Sequence, residues 1–246
     1  SGTVGATTVA LTNTTGAITF NGALTATSLT TADQAYSVAL NASTGTITNA
    51  VTFSNRGALT LGTSGGTLAF TGGLTATAPS GINLAGTITA AGTGVLNLGA
   101  PVAVTANTTV GGTSTGNITL GAATLGDGAT LTVGTGIANA ISLSTVTGTA
   151  SGTASNLTIN TTGAVTVGGA IGTDIGTITI TNSGGTTFSG TVGATTVTLT
   201  NTTGAITFNS ALTATTLNTA AQAYSVALNA STGTITNAVT FSNTGA

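Results

Sequence analysis

The sequence has no lysine, glutamate, histidine, cysteine, methionine or tryptophan, and only Asp33, Arg56, Asp127 and Asp174 of its 246 residues are charged. Each absence closes a class of chemistry. General acid–base catalysis draws on His, Glu, Asp, Lys, Tyr or Cys, and here three Asp and two Tyr are all that is left. Zinc sites are built from His and Cys, which the chain lacks. Nucleic acid is held by a basic surface that releases counterions from phosphate, and a single arginine cannot form one. The expectation is a protein that is not an enzyme, with no catalytic, cofactor-binding or metal-binding residues and no nucleic-acid partner. Without cysteine, its fold does not depend on disulfides.

Other shortages narrow the fold. Disordered chains combine low hydrophobicity with high net charge, whereas this one is 40% hydrophobic, with mean hydropathy +0.51 and formal charge −2. Collagen needs abundant proline; only Pro79 and Pro101 occur. No apolar run approaches the 18 or so residues of a membrane-spanning helix. Aromatics are 3% of the chain, too few for the girdles of an outer-membrane barrel, so no membrane insertion is expected.

In place of these residues stand 65 Thr, 18 Ser and 38 Gly, arranged in a repeat. Residues 1–58 return at 189–246, an offset of 188. Six of the 58 aligned positions differ: Ala10/Thr198, Gly22/Ser210, Ser28/Thr216, Thr30/Asn218, Asp33/Ala221 and Arg56/Thr244. The expected organisation is one full period, 1–188, followed by the start of the next, 189–246, in one continuous stack cut from a longer tandem array. No signal-like segment stands at Ser1.

A finer unit recurs within the period: GAITFNG (16–22), GALTLGT (57–63), GTLAFTG (66–72), GVLNLGA (94–100), GNITLGA (116–122), GAVTVGG (163–169) and GTITITN (176–182). Apolar residues two apart mark a half-buried strand. Gly and Asn between them supply tight turns. Strands with two or three large apolar residues cannot close a core alone and must stack on copies of themselves. The expectation is an all-β, right-handed parallel β-helix of eight coils per period, each about 20–28 residues. The coils are drawn at 3–22, 23–50, 51–73, 74–101, 102–122, 123–145, 146–169 and 170–190, with nine or ten shorter ones as a variant. Tandem β-sandwich domains are the competing fold. In the repeat, Val9, Leu11, Ile18, Phe20, Leu24, Leu29, Tyr36, Val38, Leu40, Ile47, Val51 and Phe53 are all kept. Ala10, between Val9 and Leu11, faces out; the other five changes are assigned to turn-like or small polar positions.

On the GAITFNG, GALTLGT and GAVTVGG units and the Thr/Asn/Gly tracts between them, the chain resembles the β-strand-repeat surface proteins of bacteria. This group holds filamentous-haemagglutinin-type adhesins and autotransporter passengers. The resemblance implies a secreted, extracellular or cell-surface β-solenoid that acts in adhesion or surface architecture. Its expected partners are itself, by end-to-end or lateral assembly, and the cell surface or a polysaccharide.

Individual residues invite sharper readings. Asp127 in LGDGAT and Asp174 in GTDIG suggest calcium, which takes six to eight oxygens; isolated Asp residues fit turn formation better. Arg56-Gly57 is followed by Ala58, so no Arg-Gly-Asp motif exists. Thr-x-Thr pairs (Thr25/Thr27, Thr46/Thr48, Thr75/Thr77, Thr177/Thr179, Thr196/Thr198/Thr200, Thr213/Thr215) suggest a flat ice-binding face, against which stands the ordinary preference of Thr for the outside of a strand. The pairs do not recur at one fixed spacing. Eight Asn-x-Ser/Thr sequons, at Asn13, Asn41, Asn107, Asn117, Asn156, Asn160, Asn201 and Asn229, compare with roughly six expected from composition. Tyr36 and Tyr224 share one repeat position and are expected to pack inside, their hydroxyls reaching solvent or backbone.

Overall fold

A computed structural model describes residues 2–12 and 14–245. The described residues are all-β, without helices, and their pairings are parallel. This is the stacked-strand solenoid expected from the repeat, and parallel pairing excludes the antiparallel sheets of a sandwich. The chain divides into two compact units, 1–122 and 123–246.

In the first unit every coil passes through three strand segments. One stack begins at 4–6 of strand Val4–Leu11 and continues through Leu24–Thr31, Thr44–Ile47, Thr67–Phe70, Ile82–Ala90 and Val102–Gly112. A second holds Val51–Thr52, Leu74–Thr75, Leu96–Leu98 and Ile118–Leu120. It begins from 8–11 and 28–31, whose Thr31 Oγ1 accepts from Ser54 N at 2.7 Å. The third runs from Ala17–Phe20 through Ser37–Leu40 and Leu59–Leu61 to 82–84 and 102–104.

Alternation explains why these stretches are strands. In Leu59–Leu61 and Leu96–Leu98 the two Leu are at most 1% exposed and the residue between them is half-buried. A fully buried Leu, Ile or Phe contributes about 1.5–3 kcal/mol, and each coil supplies several. The backbone donors and acceptors are satisfied by the coils before and after, as in Val38 N to Ala58 O at 2.9 Å.

The second unit repeats this plan. One stack holds Thr130–Val133, Ser155–Asn160, Ile175–Ser183, 196–199 and 216–219. Another runs from Ile141–Leu143 through Val165–Val167, Thr186–Phe188 and Ile206–Phe208 to Val226–Leu228. The third runs from Ala123–Leu125 through Val146–Gly148, Ile171–Gly172 and 192–194 to 212–214 and Thr234–Ile235. Phe188 and Phe208 stack face to face, centroids 4.7 Å apart and planes 8° from parallel.

The coils differ from the boundaries expected above. Leu24 pairs with Gly45, and Gly45 in turn with Leu68, so the long coil drawn at 23–50 does not form. The Gly–apolar–x–apolar unit marks a strand, three to a coil, rather than a coil. Coil length still varies, because irregularities sit in the corners. Leu131 pairs with Leu157 across a long coil, with Ser151 at φ 72° in the extra loop, whereas a much shorter one separates Ile178 from its partner Val197. In the first unit the register shifts between Leu84 and Gly86; Gly86 has φ 73°, and a Cβ there would overlap Thr63 O and Gly66 O. Only glycine fits that corner.

Candidate functional site

The large apolar side chains are buried inside the coils, and the outward residues and the corners make up the surface. Parallel register lines the outward hydroxyls up although their sequence spacing is unequal. In the first unit Thr44, Thr67, Thr87 and Thr109 form one ladder and Thr52, Thr75, Asn97 and Thr119 another. In the second unit one stack carries two ladders side by side. Thr130, Asn156, Thr177, Thr196 and Thr216 form one; Thr132, Thr158, Thr179, Thr198 and Asn218 form the other. Strands about 4.8 Å apart and outward residues about 6.7 Å apart along each strand make this a regular lattice of hydroxyls and methyls. Of the Thr-x-Thr pairs singled out in the sequence, only Thr177/Thr179 and Thr196/Thr198 have both members in it. Thr25 and Thr213 lie in ladder positions, Thr25 opposite Thr46 and Thr213 opposite Thr234. Thr130/Thr132 is a further Thr-x-Thr pair that the sequence reading passed over, and Thr158 lacks a pair because Asn156 stands two residues before it.

Asparagines tie successive coils together within each unit. Asn41 Nδ2 donates to Asn21 Oδ1 at 3.5 Å and the repeated Asn229 to Asn209 at 3.1 Å. Asn49 Nδ2 donates to Ser28 Oγ at 2.8 Å, and its copy Asn237 to Thr216 Oγ1 at 2.9 Å. The Ser28/Thr216 difference therefore preserves the acceptor. Positions 28 and 30 are small polar residues within strand Leu24–Thr31.

The corners hold a second set of hydroxyls that pattern reading passed over. Ser114, Thr161, Ser183 and Thr202 are at most 3% exposed. Ser114 Oγ donates to Gly94 O at 2.7 Å and Thr161 Oγ1 to Ile137 O at 2.8 Å, each a coil away. The amides of Gly116 and Gly163 donate back to these hydroxyls at 2.9 Å. The signal was present as Ser/Thr-x-Gly.

Tyr36 and Tyr224 are each 1% exposed. The Tyr36 hydroxyl donates to Leu11 O at 2.8 Å and accepts from Ala32 N at 2.9 Å; Tyr224 makes the same pair with Leu199 O and Ala220 N. Burial raises the Tyr224 phenol above its ordinary value, against the opposing pull of its hydrogen bonds to Ala220 and Thr219. Asn55, fully buried, donates to Tyr36 O at 3.2 Å, and Asn243 does the same to Tyr224 O at 3.0 Å.

Arg56 Nε meets Asp33 Oδ1 at 2.9 Å, with both side chains mostly exposed. The two charges that the second copy loses are thus one ion pair. Asp127 lies against Gly152, where a Cβ would overlap its carboxylate. Asp174 sits in a different turn at φ 57°, next to Thr173 at φ 51°, and its carbonyl accepts from Ser155 N at 3.0 Å. Among the described residues no three His, Cys, Asp or Glu side chains gather. Both Asp residues sit at turn positions, and Asp174 takes the left-handed conformation that short polar side chains tolerate. Of the sequons, Asn107, Asn117, Asn201 and Asn229 are exposed, Asn41, Asn156 and Asn160 are half-buried, and Asn13 lies outside the described residues. No family model, curated protein or solved structure matches the chain.

Proposed function

We propose that the chain is a length of extracellular structural fibre or adhesin stalk, akin to the β-strand-repeat surface proteins of bacteria, that works through length and self-association. The observation that carries this reading is the division of labour between the two sides of the strands. The inward apolar set is identical in both copies, while the changes fall on outward or corner residues and leave the surface nearly neutral. Selection of that kind keeps a rod stackable and leaves no cluster of reactive groups for a substrate. A surface almost without charge also lacks the repulsion that keeps rods apart.

Antibody raised against the chain and carried on gold tests this on intact source cells. Label along filaments outside the cell is expected, at intervals consistent with a repeat of roughly 40 Å. Label confined to the cell interior, or a chain that stays dispersed and monomeric at high concentration, would overturn it. The double Thr ladder of the second unit supports a second reading, a binding face for ice or polysaccharide. Thermal hysteresis that disappears in Thr179→Arg would favour that face over the fibre.

A further inference from the structure

The end of GAITFNG (16–22) carries a chemistry that the rest of the surface lacks. Asn21 is exposed and follows strand Ala17–Phe20, and the chain bends at Gly22 before it enters strand Leu24–Thr31. No other asparagine of the sequence is followed by glycine. The side-chain carbonyl carbon of an asparagine is placed to close a five-membered ring with the backbone nitrogen of the next residue. Two things hold that reaction back in a folded chain: a side chain that crowds this nitrogen, and a hydrogen bond that occupies its N–H. Gly22 has no side chain. Backbone N–H groups of folded proteins are normally taken, but among the described residues the Gly22 amide donates to no acceptor. Two other sites show what each restraint does. Asp127–Gly128 offers the same ring closure by sequence, but Gly128 N donates to Thr153 O at 2.7 Å. Asn209–Ser210 is the sequence copy of Asn21–Gly22; it bears a side chain beside the nitrogen, and Ser210 Oγ donates to Ser189 O at 2.7 Å.

We propose that Asn21 is a modification site, at which the folded chain deamidates itself through the free amide of Gly22. The Gly22 nitrogen attacks Asn21 Cγ; the new N–Cγ bond replaces the Cγ–Nδ2 bond, and Nδ2 leaves as ammonia with the proton from Gly22. Water then opens the succinimide ring. Addition at Cγ breaks the new bond and gives aspartate. Addition at the backbone carbonyl breaks the old peptide bond and gives isoaspartate, with the chain running through Cβ. Water is the only co-reactant. Either product turns a neutral amide into a carboxylate and takes the formal charge from −2 to −3. The charge appears where Asn41 Nδ2 donates to Asn21 Oδ1 at 3.5 Å. Aspartate keeps an acceptor for that rung, whereas isoaspartate displaces it. Isoaspartate also lengthens a corner so close that a Cβ on Gly22 would overlap the carbonyl of Gly2. An aged chain therefore carries more of the repulsion that a nearly neutral surface lacks. The proposal stands on this corner alone and is independent of the fibre reading.

The test incubates the folded chain in warm, mildly alkaline buffer beside a sample unfolded in guanidinium, and digests both with trypsin after denaturation. Arg56 is the one basic residue, so trypsin yields two peptides, 1–56 with Asn21 and 57–246 with Asp127 and Asn209. Fragmentation mass spectrometry locates each amide-to-acid conversion, and isoaspartyl methyltransferase with a labelled methyl donor reports isoaspartate. In the folded chain, conversion at Asn21 is expected to run several-fold ahead of Asn209 and of every other asparagine. It should release one equivalent of ammonia and add a more acidic band on isoelectric focusing. Asp127 should form isoaspartate in the unfolded sample only. Gly22→Ser should slow Asn21 to the pace of Asn209, and Asn21→Gln should abolish the acidic band. Asn21 intact in the folded chain while it converts in guanidinium would overturn the proposal, as would a folded-state rate no faster than that of Asn209. Both of these comparisons use the unaltered chain, so they decide the matter whether or not either variant folds.

Discussion

Residues 38–53 and 226–241 are the same sixteen amino acids, yet they are not the same structure. Leu40 is 1% exposed and Leu228 46%; Phe53 is fully buried and Phe241 51% exposed. Strands Ser37–Leu40, Thr44–Ile47 and Val51–Thr52 in the first copy shrink to Val226–Leu228 and Thr234–Ile235 in the second. At the other end of the repeat the contrast reverses, with Val4 36% exposed and its copy Val192 1%. In the first copy, 38–53 is covered by the strands Leu59–Leu61, Thr67–Phe70 and Leu74–Thr75. Val226–Leu228 has Ile206–Phe208 on one side and no strand paired on the other among the described residues. A coil of this protein therefore carries half of a hydrophobic interface, and its neighbour completes it. Burial belongs to the pair, which is the nearest-neighbour behaviour of repeat proteins.

The contrast can be broken at one residue. Phe53→Ala should cost about 3–5 kcal/mol, the usual loss for a fully buried Phe, while Phe241→Ala should cost less than about 1 kcal/mol, as for surface changes. Hydrogen exchange resolved along the chain checks both, since whole-chain unfolding need not be two-state in a repeat array. It can also be abolished. Fusing residues 59–80 after Ala246 should bury Leu228 and Phe241 and raise exchange protection across 226–241 to the level of 38–53. Unchanged protection there would contradict the half-interface account.

The tyrosines should behave alike in both copies. Tyr36→Phe and Tyr224→Phe each remove two hydrogen bonds, but the carbonyl and amide left behind still pair with each other, Ala32 N with Leu11 O at 2.8 Å and Ala220 N with Leu199 O at 2.9 Å, so each should cost only about 0.5–1.5 kcal/mol. Tyr224 adds a pH dependence. Its phenol is raised in the folded state, so the stability tied to its neutral form is complete below the ordinary phenol value, about 10. It is lost as pH rises through the higher folded value. Protection around Tyr224 should hold to about pH 10 and then fall, and Tyr224→Phe should flatten that fall.

The parallel solenoid was legible because Val9/Leu11, Leu59/Leu61 and Leu96/Leu98 alternate cleanly and because 52 of 58 repeated positions are identical. Coil boundaries were not, since the Gly–apolar–x–apolar signal marks every strand and corner insertions such as 148–154 change the spacing. Without the coil length, contacts one coil apart cannot be read. The ion pair of Asp33 with Arg56 and the buried contact of Asn55 with Tyr36 are therefore invisible in the sequence. The Thr lattice hid for the same reason: Thr158, Thr179 and Thr198 are neighbours in space at unequal spacings in sequence.

That register also explains why four of the six differences between the copies fall in two pairs, and it yields the smallest predicted effects. Ala10 pairs with Thr30, and their counterparts Thr198 and Asn218 also pair, with Asn218 Nδ2 donating to Thr198 Oγ1 at 3.4 Å. Asp33 and Arg56 are replaced together by Ala221 and Thr244. A double-mutant cycle on Asp33→Ala and Arg56→Thr should give a coupling below about 1 kcal/mol, as for exposed ion pairs, fading as salt shortens the reach of surface charge. Ala10→Thr with Thr30→Asn should install the second copy's hydrogen bond in the first, again with a coupling under about 1 kcal/mol. Salt should leave that coupling unchanged, because neither partner is charged. Equal salt sensitivity of the two cycles would mean that the paired differences are not the local, cross-strand exchanges the register makes them.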